Sequence, residues 1–113
     1  MSDDYHSQAG DIVRTHFDPS LGREQTGRRP ALILSTLELS LNTGFAILAP
    51  ITSRIRPFPT SIVLPINATL HGEILLNQIR SIDLMARPVR FVGRIDETTA
   101  QAVREKLDLL ISI

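Results

Sequence analysis

The sequence predicts a mainly β protein: a small, strongly bent antiparallel sheet or barrel, closed by one C-terminal α-helix. Three observations carry that prediction. Short runs with strand character follow one another through most of the chain, each bounded by Gly, Pro, Asn or Asp. Several alternate with period two, as strands with unlike faces do. Only the last stretch changes period, with Ala100, Val103, Leu107, Leu110 and Ile111 recurring on one helical face. A chain of 113 residues is one domain, large enough to bury roughly two-thirds of the surface its unfolded form exposes.

Residues 1–9 read as a flexible, exposed N-terminus, with a single domain over residues 10–113. In Asp11–Phe17, Val13, Thr15 and Phe17 share one face of a strand, and Ile12, Arg14 and His16 the other. Asp18-Pro19 ends it, because proline has no N–H for the ladder. A polar loop follows, with Gly22 and Gly27 permitting close backbone approach. Pro30 opens the second strand, and Ala31–Leu34 is continuously apolar, as expected for burial on both faces.

Glu38–Gly44 reads as a turn. Phe45–Thr52 is a third strand, apolar until polar Thr52 and Ser53. The run Arg54-Ile55-Arg56-Pro57-Phe58-Pro59 cannot be helical with two prolines so close, and reads as a stiff basic surface loop. Ser61–Leu64 is a fourth strand. Glu73–Asp83 alternates as one long fifth strand, and Pro88–Ile95 is a further one. Asp96 is a good N-cap, and Glu97 suits the positive end of the helix that follows.

Formal charge is +0, unevenly spread. Residues 19–94 hold nine Arg against four acids, while the ends are acidic, with Asp3, Asp4, Asp11 and Asp18 at one and Asp96, Glu97, Glu105 and Asp108 at the other. All but one of the cations are Arg, the side chain suited to bidentate phosphate contacts and to stacking on bases. The absence of cysteine excludes disulfides and thiolate chemistry. The longest apolar run, Phe45–Ile51, is far short of the ~20 residues of a membrane span. The polar, acidic N-terminus is unlike a secretory signal, so the expected location is the cytoplasm.

Candidate chemistry centres on the loop between the first two strands. Arg23, Arg28 and Arg29 crowd beside Glu24, an arrangement that suits an anion, although a surface salt-bridge cluster has the same composition. Thr52-Ser53 is a polar strand terminus. Asn77 and Gln78 are amides in an apolar strand, which need either backbone partners or a ligand. Phe58, between two prolines and beside Arg54 and Arg56, offers a base-stacking platform or a small satellite core. His6, His16 and His71 have no metal-ligand spacing, so neither metal nor cofactor is expected.

The run FDPSLGREQTGRRPALILS (17–35), then LAPITSR (48–54), LLNQIRSIDLMAR (75–87) and a closing helix, resembles the MazF/PemK family of type II toxin endoribonucleases over about residues 10–113. The E-Q-x-G-x-R-P core at Glu24–Pro30 together with P-x-T at Pro50–Thr52 carries the likeness. The resemblance implies a small SH3-like antiparallel β-barrel (PemK/CcdB-like) with a C-terminal helix, acting as a homodimer. It implies metal-independent, sequence-specific cleavage of single-stranded RNA, chiefly mRNA, and neutralisation by a cognate antitoxin with an acidic, flexible tail.

Carried over by motif, Arg29 and Thr52 are the catalytic arginine and threonine, and Glu24 is the loop glutamate. Arg23, Arg28, Arg54 and Arg56 would hold the RNA backbone, and Phe58, Asn77 and Gln78 would stack on or read bases. Gln25, Thr26, Gly27, Pro50 and Ser53 complete the implied RNA-binding surface. Some members carry an Arg/Asp pair where this chain has Leu75 and Asn77, and some a His where it has Arg23.

RNA is cut without metal when its own 2′-OH attacks the adjacent phosphate. Arg29 and loop N–H groups suit the developing dianion, while neither Arg29 nor the Thr52 hydroxyl titrates near neutrality. Glu24 has a plausible base chemistry only if burial raises its pKa, and its neighbouring cations act the other way. Two alternatives share the barrel: a non-catalytic toxin such as a CcdB-like gyrase poison, and a decayed toxin that only binds antitoxin.

Overall fold

Alternating and continuous apolar runs become strands here because each must bury one or both faces. The structure is a computed structural model that describes residues 5–17 and 28–112. Its elements are β1 (Asp11–His16), β2 (Arg28–Ile33), α1 (Leu37–Thr43), β3 (Phe45–Thr52), β4 (Ser61–Val63), β5 (Glu73–Leu75), β6 (Arg80–Asp83), β7 (Arg90–Arg94) and α2 (Glu97–Leu110). The antiparallel sheet runs β4-β5-β3-β2-β1-β7, with β6 pairing the outer half of β3. Such a bent sheet closed by one helix is the barrel-like architecture the sequence predicts.

The three central strands have a core on each side. Ile12, Leu32, Ala49 and Ile51 pack with Ile74, Leu76 and Val103, under α2. Val13, Phe17, Ala31, Ile33, Ala46, Leu48 and Ile82 form the second cluster. Double burial explains why Ala31–Ile33 is apolar at every position. Along α2, Val103 and Leu107 reach the core, while Leu110 and, just past the helix, Ile111 are exposed because the chain there runs past it. Asp96 caps the helix as expected, its carboxylate accepting from the Thr99 amide at 2.8 Å.

Four sequence expectations need correction. Residues 38–44 are not a turn but most of α1, started by the Thr36 hydroxyl accepting from Leu39 N and stopped by Gly44 at φ 77°, a left-handed conformation that glycine adopts without strain. The second strand begins at Arg28, ahead of Pro30, because Arg28 and Arg29 pair with His16 and Thr15. The segment 5–9 is not frayed: Ser7 is buried, the Tyr5 hydroxyl donates to Asp11 at 2.7 Å, and Ser40 Oγ donates to Ser7 O at 2.9 Å. Residues 1–4 lie outside the described part.

The fourth correction bears on the site. Residues 73–83 are not one strand but β5, a 3₁₀ turn at Leu76–Gln78, and β6. Ile51 pairs with Ile74 and Leu48 with Arg80, so three steps along β3 face six along the returning chain. The turn takes up the difference. Pro50, with no N–H to offer, sits in the gap between these two pairings.

Candidate functional site

The β2–β3 register brings two of the three predicted catalytic residues, Arg29 and Thr52, to one end of the sheet. Ala31 is paired with Pro50; Arg29 lies two residues beyond that pair on β2, and Thr52 two residues beyond it on β3. Period two keeps each on the face of its strand that the pair marks. Thr52 Oγ1 accepts from Arg54 N at 3.1 Å, which orients the hydroxyl, and Thr52 is itself paired with Glu73.

Beside this end lies an open groove of about 660 Å³. Thr52 contributes from β3, Arg54, Arg56 and Phe58 from the loop after it, and Glu73, Leu75, Asn77 and Gln78 from β5 and the 3₁₀ turn. The turn decides the amides' fate: it takes Asn77 and Gln78 out of the strand and into the groove wall. Phe58 is 53% exposed, so it is a surface aromatic rather than part of a satellite core.

Cations gather at the adjoining end of β1. Arg28 Nη2 donates to His16 Nε2 at 3.2 Å, and Arg87 to His16 O at 3.0 Å. Arg80 donates to Phe17 O at 3.1 Å, and its guanidinium lies 5.3 Å from the Phe17 ring centre. Arg29 pairs with Thr15 one step along, so this end of β1 and β2 is rich in cations and suits a polyanion.

Glu73 is the residue that sequence reasoning missed. It is wholly buried at the groove, and accepts from Arg56 N at 2.7 Å, from Phe58 N at 3.2 Å and from the Ser61 hydroxyl. Burial pushes its pKa up, but the Ser61 hydroxyl and the two amides outweigh that and hold it below the usual carboxylate range. The available signal was a lone acid opening an apolar strand.

Other predicted residues fall elsewhere. Pro50 is buried within the sheet and is not among the residues that line the groove. Ser53 is exposed, off the groove lining, and Arg28 is engaged with His16. Arg23, Glu24, Gln25, Thr26 and Gly27 lie outside the described residues. Among the described residues no group of three His, Asp or Glu could hold a metal ion, and no helix is long and apolar enough to cross a membrane.

Fold and site together define a small mainly antiparallel β protein with an open groove whose lining includes Thr52, Arg54 and Arg56. The sequence model of the PemK-like, MazF-like toxins of type II toxin–antitoxin systems matches residues 8–111. The chain is 32% identical over 107 residues to the endoribonuclease toxin MazF of Escherichia coli, covering 95% of this chain and 96% of that protein. To the endoribonuclease toxin ChpB of the same species it is 37% identical, covering 85% and 87%. The crystal structure of MazF from Deinococcus radiodurans superposes with a TM-score of 0.87 at 36% identity, over 95% of this chain and 97% of that one. A MazE–MazF complex from that organism matches with a TM-score of 0.82 at 31% identity, over 97% and 99%. The chain therefore belongs to the PemK/MazF-like family of type II toxins.

Proposed function

We propose that this toxin is a sequence-specific endoribonuclease that cuts single-stranded RNA at the Arg29–Thr52 end of the sheet, the adjoining nucleotides lying in the groove. The observation that supports the reading is the register that sets Arg29 and Thr52 equally far past the Ala31–Pro50 pair, with Thr52 also lining the groove. The endoribonuclease names of the relatives favour a nuclease over a non-catalytic or decayed toxin.

In the reaction the 2′-OH loses its proton as its oxygen bonds to the adjacent phosphorus. The P–O5′ bond breaks and O5′ takes up a proton, leaving a 2′,3′-cyclic phosphate and a 5′-OH. Arg29 stabilises the dianionic phosphorane with its guanidinium donors. The Thr52 hydroxyl, turned by its bond to Arg54 N, orients the phosphate. Glu24 completes the set by its place in the shared motif. Arg54 and Arg56 hold flanking phosphates, and Phe58, Asn77 and Gln78 receive bases. The protein acts in the cytoplasm as a homodimer, restrained by an antitoxin of the MazE kind; a complex of that kind is known for the Deinococcus radiodurans relative.

End-labelled single-stranded RNA incubated with the protein in EDTA is the test. Discrete fragments ending in 2′,3′-cyclic phosphate and beginning with 5′-OH are expected. Intact RNA, or fragments with 3′-hydroxyl ends, would overturn the reading.

A further inference from the structure

We propose that Glu73 is the positioning residue that sets which bases the groove accepts, by holding the Arg56–Phe58 backbone in one conformation. The inference rests on the nuclease reading above.

The segment Arg56-Pro57-Phe58-Pro59 has only two backbone N–H groups, because its prolines have none. Glu73 accepts both, Arg56 N at 2.7 Å and Phe58 N at 3.2 Å. The Ser61 hydroxyl also donates to the same carboxylate, and its oxygen lies 3.2 Å from Phe58 N. A single buried side chain thus engages every amide donor of the segment, while the prolines fix φ at their own positions.

The consequence appears on the outside. Arg56 and Phe58 are exposed, and both line the groove. An aromatic ring on a pinned backbone offers a stacking face at a set place, with little ordering left to be lost on binding. A loosened loop would still stack bases, but less selectively.

Glu73 does not fit the role of proton acceptor. Its oxygens already take three donors inside the protein, and those donors favour the ionised state. It acts through Arg56 and Phe58 rather than on the reacting atoms.

The test compares wild type with Glu73→Gln, which keeps size but replaces one acceptor oxygen by a donor, and with Phe58→Ala, which removes the ring alone. Cleaved ends are mapped across a long RNA, and kcat and KM are measured on the preferred oligonucleotide. Glu73→Gln should lose preference about tenfold at one base position, the position that Phe58→Ala also relaxes, roughly the effect of weakening one base stack. The loss should lie in KM, with kcat changed less than about threefold. If Glu73→Gln does not fold, Ser61→Ala removes one donor and should shift the same position more weakly. An unchanged cleavage profile in the folded variant overturns the inference, as does a fall in kcat with the profile retained. Absence of cleavage by wild type would instead overturn the nuclease reading. Anisotropy binding to short single-stranded RNAs of defined sequence then decides the role of Glu73: selectivity equal to wild type in the variant overturns it.

Discussion

The backbone amide of Arg56 donates to Glu73 Oε1 at 2.7 Å, joining an exposed basic loop to a fully buried strand residue. An ion so placed is tolerable only when hydrogen bonds replace its lost hydration. Phe58 N and the Ser61 hydroxyl supply the remainder. The same bonds that make the charge tolerable also shape the groove wall.

That arrangement makes stability acid-sensitive. The folded pKa of Glu73 lies below its ordinary 4.5. Its ionised form therefore stabilises the fold above the unfolded pKa, and the contribution is lost as pH falls through the lower, folded value. Urea unfolding of wild type and Glu73→Gln should differ by a constant amount above about pH 6, with the gap narrowing below 4.5. A gap that widens toward acid would contradict the assignment.

Arg29→Ala and Thr52→Ala should fold like wild type, since Arg29 is exposed and Thr52 only half-buried. RNA cleavage should fall ~10²–10³-fold for Arg29→Ala, the usual cost of one donor to a developing oxyanion. Thr52→Ala should fall less steeply. Single-turnover cleavage of labelled RNA, alongside thermal melts, checks both. Full activity in the two variants would remove them from the site.

Gly72 holds the chain against the end of β3. A Cβ there would stand 2.6 Å from Ile51 Cγ2 and 3.0 Å from the Thr52 carbonyl oxygen. Gly72→Ala must displace the Thr52 strand end or β5, at a cost of roughly 1–3 kcal/mol. Denaturant unfolding should show that loss, with a drop in RNA cleavage beyond what the unfolded fraction explains. Stability equal to wild type would mean that the strands give way freely.

Tyr5 is the sole tyrosine, and there is no tryptophan, so its titration is read directly by absorbance. Burial, then the Asp11 carboxylate that its hydroxyl donates to, raise its pKa well above the ordinary 10.0. The neutral phenol is favoured by the fold, so its contribution is present below pH 10.0 and is lost as pH rises toward the folded value. Phenolate absorbance should appear only at higher pH or on unfolding. Ionisation at pH 10 in the folded protein would show that residues 5–9 are not docked.

Some of this was legible because local pattern and final environment agree. β3 has the predicted ends, and Asp96 caps α2 as expected, since strand alternation and cap chemistry are local properties. α1 escaped notice because seven residues show little helical period, and Asn42 and Gly44 look like turn punctuation, although Gly44 is the helix stop. The turn at Leu76–Gln78 escaped because the period-two alternation of residues 73–83 runs through it, with no Gly or Pro to mark the break.

By itself the sequence determined the fold class, the order of most strands, the closing helix, and the motif residues Arg29 and Thr52. Periodicity and motif spacing are written along the chain. Only the tertiary structure decided that β3 changes partner from β6 to β5 past Pro50, which forces the intervening chain into a 3₁₀ turn and sets Asn77 and Gln78 on the groove. It also decided that Glu73, one acid at the start of an apolar run, lies beneath a loop 15 to 17 residues away. Such contacts depend on which strand lies beside which, and no local pattern of residues carries that information.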